Sequence, residues 1–210
     1  MDDPKTVVVL DDDAATRRTL ALALERAGYR VQTYGSPGQL LKALDPTQSG
    51  CLLLDLRMPG MDGLDVQEAL RGLGCTLPVI FMSGFADVPA TVQALKGGAI
   101  DFVEKPFSMD ALIARIEEAL AIDRSEREER ELREMIRQRA ESLTPREIEV
   151  MRFVAEGLSN KETARRLGIS PRTVEKYRAR VMEKMKADNV PDLCQMVSGL
   201  SEQETDAQPR

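Results

Sequence analysis

The chain has 210 residues, enough for one large or two modest domains, and its 29 Lys and Arg against 35 Asp and Glu give a net charge of −6. It has no His, which excludes mechanisms that use imidazole as a base, nucleophile or metal ligand. Its three scattered Cys exclude a disulfide framework or a zinc site, and the apolar runs are too short to span a membrane, so we expect a soluble cytoplasmic protein.

Charge is distributed unevenly along the chain. Residues 1–120 carry 11 basic and 17 acidic side chains, whereas residues 142–198 carry 11 basic and 8 acidic ones. An acidic first part and a basic second part predict two domains with different partners. The basic domain is where a polyanion would bind.

The first 120 residues contain five short apolar runs, separated by segments long enough for helices. The runs are Val7–Leu10, Tyr29–Thr33, Cys51–Leu54, Val79–Met82 and Ile100–Val103. Most are continuous rather than alternating, which is typical of parallel strands that are buried on both faces. Strands that alternate with helices predict an α/β fold with a doubly wound parallel sheet.

A charged segment follows, at residues 123–141. Opposite charges recur four residues apart in it, as in Glu126 with Arg130, which supports an exposed helix. We interpret the segment as a linker that extends the last helix of the first domain. A dimerising coiled coil is less favoured, because Leu132 and Ile136 are too few for a heptad seam.

Residues 142–198 predict an all-helical domain of four helices. The first begins at Thr144–Glu147, which fits a capping box with Pro at the first helical position. A second helix is expected at about 161–167 and a third at 170–185, before a fourth. Residues 199–210 are polar and acidic, and we expect them to form a disordered tail.

Polar side chains follow four of the predicted strands. Asp11–Asp13 come after the first strand and Asp55 after the third, which are neighbours in the common order 2-1-3-4-5. Carboxylates held so close repel unless a hard divalent cation such as Mg²⁺ lies among them. Ser83 and Lys105 follow the fourth and fifth strands. These groups together predict a phosphoryl site at one edge of the sheet.

Residues 5–122 resemble the receiver domain of two-component response regulators. The resemblance is carried by Asp11-Asp12, by Asp55 within Leu-Asp-Leu-Arg-Met-Pro-Gly-Met-Asp-Gly, by Ser83-Gly84 and by Phe102–Pro106. It implies a CheY-like fold in which Asp55 accepts a phosphoryl group from a sensor histidine kinase.

The resemblance also implies the roles of the remaining site residues. Mg²⁺ would be bound by Asp12, Asp55 and the backbone carbonyl of Arg57, with Asp11 acting through water. Lys105 would pair with the phosphate, and the hydroxyl of Ser83 would move toward it. Phe102 would be the aromatic switch residue, and the Lys105-Pro106 peptide bond would be cis.

A phosphatase of the haloacid dehalogenase type also forms an aspartyl phosphate on a similar sheet. That family requires Asp-x-Asp-x-Thr or Asp-x-Asp-x-Val after the first strand. Here Ala15 stands in the last place and Thr16 comes one residue late. The sequence therefore disfavours such an enzyme, and we expect no catalysis beyond self-phosphorylation chemistry and slow self-dephosphorylation.

The third helix of the basic domain has two distinct faces. Val174 and Val181 lie on an apolar stripe, and Arg172, Lys176 and Arg180 lie on the opposite face. A helix that follows another short helix and a Gly-containing turn has the layout of a helix-turn-helix, whose second helix enters the major groove of DNA. For this helix alone, a solvated charged face is the simpler alternative.

Residues 143–197 as a whole resemble the LuxR-type DNA-binding domain. The resemblance is carried by Leu143–Glu147, Gly157–Lys161, Ala164, Leu167, Ile169-Ser170, Thr173–Glu175 and Lys184. It implies that the candidates for reading bases are Glu175, Lys176 and Ala179. It implies that the candidates for contacting the DNA backbone are Lys161, Ser170, Arg172, Thr173, Tyr177 and Arg180.

Together these features predict a response regulator of the FixJ/NarL class. We expect phosphorylation to create a homodimer through the face formed by residues 88–97 and 102–120, and the dimer to bind double-stranded promoter DNA. RNA polymerase is a further candidate partner. The alternative is a phosphorylation-dependent switch whose helical domain binds protein instead of DNA.

Overall fold

The computed structural model describes residues 5–84 and 88–206, which divide into two compact units at residue 127. The strands of the first unit are β1 (Thr6–Leu10), β2 (Arg30–Tyr34), β3 (Cys51–Asp55), β4 (Val79–Ser83) and β5 (Asp101–Glu104). Its helices are α1 (Ala14–Arg26), α2 (Pro37–Ala43), α3 (Gly63–Gly72), α4 (Val88–Lys96) and the first part of α5 (Met109–Glu141).

All pairs in the sheet are parallel and the strand order is β2-β1-β3-β4-β5, as the sequence predicts. β1, β3 and β4 are buried at every position. Because successive side chains point to opposite faces, Val8 and Leu54 pack into one layer of the core, whereas Val7 and Leu53 pack into the other. The continuous apolar runs therefore reflect a sheet with a core on each face.

Helix α5 runs without a break for 33 residues, from Met109 to Glu141. Leu112 and Ile116 are buried in the core of the first unit, and Ile136 and Ala140 pack against the core of the second. The predicted helical character of the charged linker is confirmed.

The packing of the first unit extends beyond residue 122, the last residue of the receiver domain in the sequence prediction. Asp123 is buried, and its Oδ2 accepts hydrogen bonds from the backbone N–H of Gly50 at 3.0 Å and from Nε of Arg127 at 3.1 Å. The guanidinium of Arg127 also donates to the carbonyl of Thr47. The beginning of the charged segment is thus anchored to the loop before β3 rather than solvated.

The second unit contains α6 (Pro145–Ala155), α7 (Asn160–Leu167), α8 (Pro171–Met185) and α9 (Val190–Asp206). The predicted capping box is present: the backbone N–H of Thr144 donates to Oε2 of Glu147 at 2.9 Å, and Thr144 accepts in return. Gly168 ends α7 in the left-handed conformation (φ 66°), which glycine adopts without steric cost.

The end of the chain differs from the prediction of a disordered tail from residue 199. Helix α9 continues to Asp206, and residues 207–210 lie outside the described residues. Residues 201–206 include Glu and Gln, which favour helix, and the next Pro is at 209. Among the described residues, no helix is both long and apolar enough to cross a membrane.

Candidate functional site

The three carboxylates predicted from the strand ends lie together. Asp11 follows β1 and Asp55 ends β3, and these neighbouring strands are aligned so that Leu10 pairs with Leu54. One carboxylate oxygen from each of Asp11, Asp12 and Asp55 lies within 4.8 Å of the other two. Asp11 and Asp55 are buried, whereas Asp12 is exposed. This donor set suits a hard divalent cation that prefers oxygen ligands and retains some water.

Lys105 joins the two buried carboxylates. Its Nζ donates to Oδ2 of Asp11 at 2.7 Å and to Oδ1 of Asp55 at 2.8 Å. Its backbone N–H donates to the carbonyl of Ser83 at 2.7 Å, which ties the end of β5 to the end of β4, and the bond to Pro106 is cis as expected. The ammonium is thus held against the proposed phosphoacceptor.

The ionisation of this pair reflects both burial and charge. Burial raises the pKa of Asp55; the hydrogen bond and charge of Lys105 oppose this rise, and the charges of Asp11 and Asp12 add to it. Burial alone would lower the pKa of Lys105, but its hydrogen bonds to Asp11 and Asp55 raise it above the ordinary value. Lys105 therefore remains a cation beside the two buried carboxyl groups.

The other predicted receiver residues lie on β4, on β5 and in the loop after β3. Ser83 is buried at the end of β4, opposite Glu104 of β5 in the strand register. Phe102 lies on β5, partly buried against the core layer that contains Leu54. Arg57 is exposed in the loop that follows β3, two residues after Asp55. Phe102 and Ser83 thus occupy adjacent strands.

Gly63, the first residue of α3, makes a close contact that the sequence analysis missed. A Cβ at this position would lie 2.6 Å from the carbonyl oxygen of Asp55 and 2.8 Å from Cε1 of Phe81. The N–H of Gly63 donates to the carbonyl of Leu56 at 2.9 Å. The Asp-Gly pair at the helix start was visible in the sequence, but its contact with the end of β3 was not.

The predicted DNA-binding residues lie mainly on the exposed face of α8. The exposed candidates are Lys161, Ser170, Arg172, Glu175, Lys176, Ala179 and Arg180. Thr173 and Tyr177 are partly buried, and Tyr177 packs against the core of the second unit. Oγ of Ser170 accepts from the N–H of Thr173 at 3.1 Å, so Ser170 caps α8 as expected.

Two contacts that the sequence analysis missed hold α8 in place. Nη1 of Arg178 donates to Oδ1 of Asn160 at 2.9 Å, which connects α8 to the first residue of α7. At the C-terminal end of α8, Nη1 of Arg139 donates to the carbonyl of Met185 at 3.1 Å. The helix that carries the basic face is thus positioned by polar contacts at its middle and at its C-terminal end.

Comparison with known proteins agrees with both halves of this description. Residues 7–117 match the response regulator receiver domain, and residues 141–197 match the bacterial regulatory proteins of the luxR family. The chain is 43% identical over 190 residues to the transcriptional regulatory protein FixJ of Azorhizobium caulinodans, covering 90% of each chain. It is 40% identical over 200 residues to the tetrathionate response regulatory protein TtrR of Salmonella typhimurium, covering 95% of each.

Solved structures show the same similarity. The response regulator StyR superposes with a TM-score of 0.84 at 38% identity, covering 93% of this chain and 98% of that one. Full-length FixJ from B. japonicum gives a TM-score of 0.59 at 39% identity, with 94% and 98% covered. The chain therefore belongs to the two-component response regulators that regulate transcription by joining a receiver domain to a LuxR-type DNA-binding domain.

Proposed function

We propose that Asp55 is the phosphoacceptor of this response regulator, and that a sensor histidine kinase is the donor. A carboxylate oxygen of Asp55 attacks the phosphorus of the kinase phosphohistidine. The new P–O bond forms as the P–N bond breaks, and the imidazole leaves with the electron pair. The observation that carries the proposal is the position of Lys105, whose ammonium lies 2.8 Å from Asp55 and can offset charge on the transferred group.

Asp12, Asp55 and the carbonyl of Arg57 are the residues that would hold Mg²⁺, with Asp11 acting through water. The cluster of carboxylate oxygens within 4.8 Å supports this assignment. Bound Mg²⁺ supplies neutralisation of charge on the phosphoryl oxygens. Lys105 donates to both Asp11 and Asp55 and so orients the attacking carboxylate of Asp55.

Phosphorylation would then change the face formed by residues 88–97 and 102–120. Ser83 would donate its hydroxyl to a phosphoryl oxygen, and Phe102 on the adjacent strand would turn inward. Such a local change of charge can bias an element with two arrangements. We propose that this face then forms a homodimer, which presents two copies of α8 to two half-sites on double-stranded promoter DNA.

On the DNA, Glu175, Lys176 and Ala179 are the proposed base-reading residues. The proposed backbone contacts are Lys161, Ser170, Arg172, Thr173, Tyr177 and Arg180. The exposure of the basic side chains on α8 supports these assignments. The proposal places the protein in the cytoplasm with the promoter and leaves RNA polymerase as a further partner. Its only chemistry would be its own phosphoryl transfer and slow self-dephosphorylation.

The test is intact mass after incubation with a small phosphodonor and Mg²⁺, comparing the wild type with Asp55→Asn. We expect a phosphoryl adduct on the wild type alone. Sedimentation of the same samples should show a dimer only where the adduct forms. A D55N variant that dimerises and binds DNA as well as the phosphorylated wild type would overturn the proposal.

A further inference from the structure

Arg17 connects the ends of two strands beside the acidic cluster. It lies on α1, four residues after the helix cap Asp13, and is partly buried. Its Nη1 donates to the backbone carbonyl of Asp11 at 2.7 Å. Its guanidinium also lies against Gly35, directly after β2, where a Cβ would be 3.1 Å from Cζ of Arg17. The side chain thus spans the carboxyl ends of β1 and β2.

The carbonyl that Arg17 binds belongs to the peptide between Asp11 and Asp12. The other polar groups of Asp11 are also engaged: Oδ1 accepts from the N–H of Asp13 at 2.9 Å, Oδ2 accepts from Lys105 at 2.7 Å, and its own N–H donates to the carbonyl of Tyr34. Because the orientation of this peptide sets the direction in which the Asp12 side chain leaves the backbone, Arg17 acts on Asp12 without touching it.

We propose that Arg17 is a positioning residue of the phosphoacceptor site. Its hydrogen bond to the Asp11 carbonyl holds the Asp11–Asp12 peptide so that both carboxylates converge with Asp55, with one oxygen of each within 4.8 Å of the others. The inference rests on the proposed function, in which these carboxylates hold Mg²⁺. Loss of an outer contact of this kind typically weakens metal binding by about 10- to 100-fold.

Three variants separate this role from a general effect on folding. Arg17→Met keeps an unbranched apolar stem and removes the donors, and Arg17→Lys restores a donor group and the charge. Gly35→Ala leaves Arg17 in the chain but places a methyl group against its guanidinium; Gly35 has no positive φ, so the backbone accepts alanine. Arg18→Met is the matched control, because Arg18 is exposed on the same helix.

The probe is Mn²⁺, titrated into the full chain without a phosphodonor and followed by electron paramagnetic resonance of the free ion. We expect Arg17→Met to weaken Mn²⁺ binding about tenfold. Gly35→Ala and Arg17→Lys should weaken it by smaller factors, and Arg18→Met should bind Mn²⁺ as tightly as the wild type. The midpoint of the Mg²⁺ dependence of adduct formation should shift by the same factors.

The outcomes distinguish the two proposals. Failure of the wild type both to bind Mn²⁺ and to form an adduct would contradict the proposed function itself. Tight binding by the wild type, together with unchanged affinity in Arg17→Met, would overturn only the role of Arg17. If circular dichroism shows that Arg17→Met is misfolded, Gly35→Ala decides, and its unchanged affinity would likewise overturn the inference.

Discussion

Lys184 on α8 and Glu147 on α6 form an ion pair in the DNA-binding unit, with Nζ of Lys184 2.6 Å from Oε2 of Glu147. The Glu147 side chain is only 3% exposed and that of Lys184 is 34% exposed. Lys184 also donates to the carbonyl of Ser142 at 3.0 Å, and Glu147 accepts from the N–H of Thr144. One carboxylate therefore connects the start of α6 to the end of α8.

Replacing Glu147 with Gln should destabilise the second unit. We expect a loss of about 1–2 kcal/mol, because a hydrogen bond between charged groups is lost while Lys184 can still reach solvent. Hydrogen exchange of the α6 and α8 amides, measured by mass spectrometry, should increase. The control is Glu149→Gln, which removes an exposed ion pair with Arg146 on the same helix. Equal hydrogen exchange in the two variants would show that the Glu147–Lys184 pair stabilises the unit no more than the exposed Glu149–Arg146 pair does.

The same pair predicts how this unit responds to acid. The hydrogen bond from Lys184 lowers the pKa of Glu147 to about 2. Since this folded-state value is below that of an unfolded chain, the pair stabilises the fold at and above pH 5 and loses that effect as the pH falls from about 4.5 toward 2. The carboxyl chemical shift of Glu147 in the full chain should titrate well below the ordinary glutamate pKa of 4.5. A titration midpoint at that ordinary value would contradict the prediction.

Replacing Gly63 with Ala should disturb the phosphoacceptor through its backbone. The new methyl would lie 2.6 Å from the carbonyl of Asp55, so α3 or the end of β3 must shift. We expect a loss of stability of about 1–3 kcal/mol, as for other overpacked sites, and slower adduct formation. Gly72→Ala on the same helix meets no atom within 4 Å and serves as the control. Intact mass over time checks both variants, and equal rates would contradict the prediction.

Lys176→Ala should weaken DNA binding without changing phosphorylation. Lys176 is exposed in the middle of α8, and loss of a contact to a base or phosphate would reduce affinity about tenfold. The measurement is fluorescence anisotropy of labelled promoter DNA over a range of salt concentrations. Lys42→Ala, an exposed lysine on α2, makes the same change of charge in the receiver. If both variants bind the promoter DNA with equal affinity at every salt concentration, the proposed DNA-contacting face of α8 is wrong.

Asp123→Asn should loosen the loop that precedes β3. The buried carboxylate accepts from the N–H of Gly50 at Oδ2 and from Nε of Arg127 at both oxygens, and asparagine would place an NH₂ donor where one of these oxygens lies. We expect a loss of about 2 kcal/mol and faster hydrogen exchange of residues 47–50. Glu129→Gln, which breaks an exposed pair on the same helix, should leave that exchange unchanged. Protection at 47–50 that survives Asp123→Asn would exclude this anchoring role.

The sheet and the acidic cluster could be predicted because each depends on a local pattern. Continuous apolar runs such as Cys51–Leu54 fit strands buried on both faces, and parallel strands bring their carboxyl ends to one edge. Burial of Asp123 could not be predicted in the same way, because its partners Gly50 and Arg127 satisfy it only in the folded chain. The contact of Gly63 with Asp55 likewise depends on how closely a helix approaches a strand.

The position of Lys105 changes how phosphorylation should be understood energetically. Its ammonium already donates to Asp11 and Asp55 at 2.7 and 2.8 Å. Phosphorylation would convert the Asp55 carboxylate to an acyl phosphate, so the bond from Lys105 to Asp55 would be replaced by a bond to a phosphoryl oxygen, while the bond to Asp11 can remain because an ammonium has three donors. The net gain from this lysine is therefore the difference between the bond that is lost and the bond that forms.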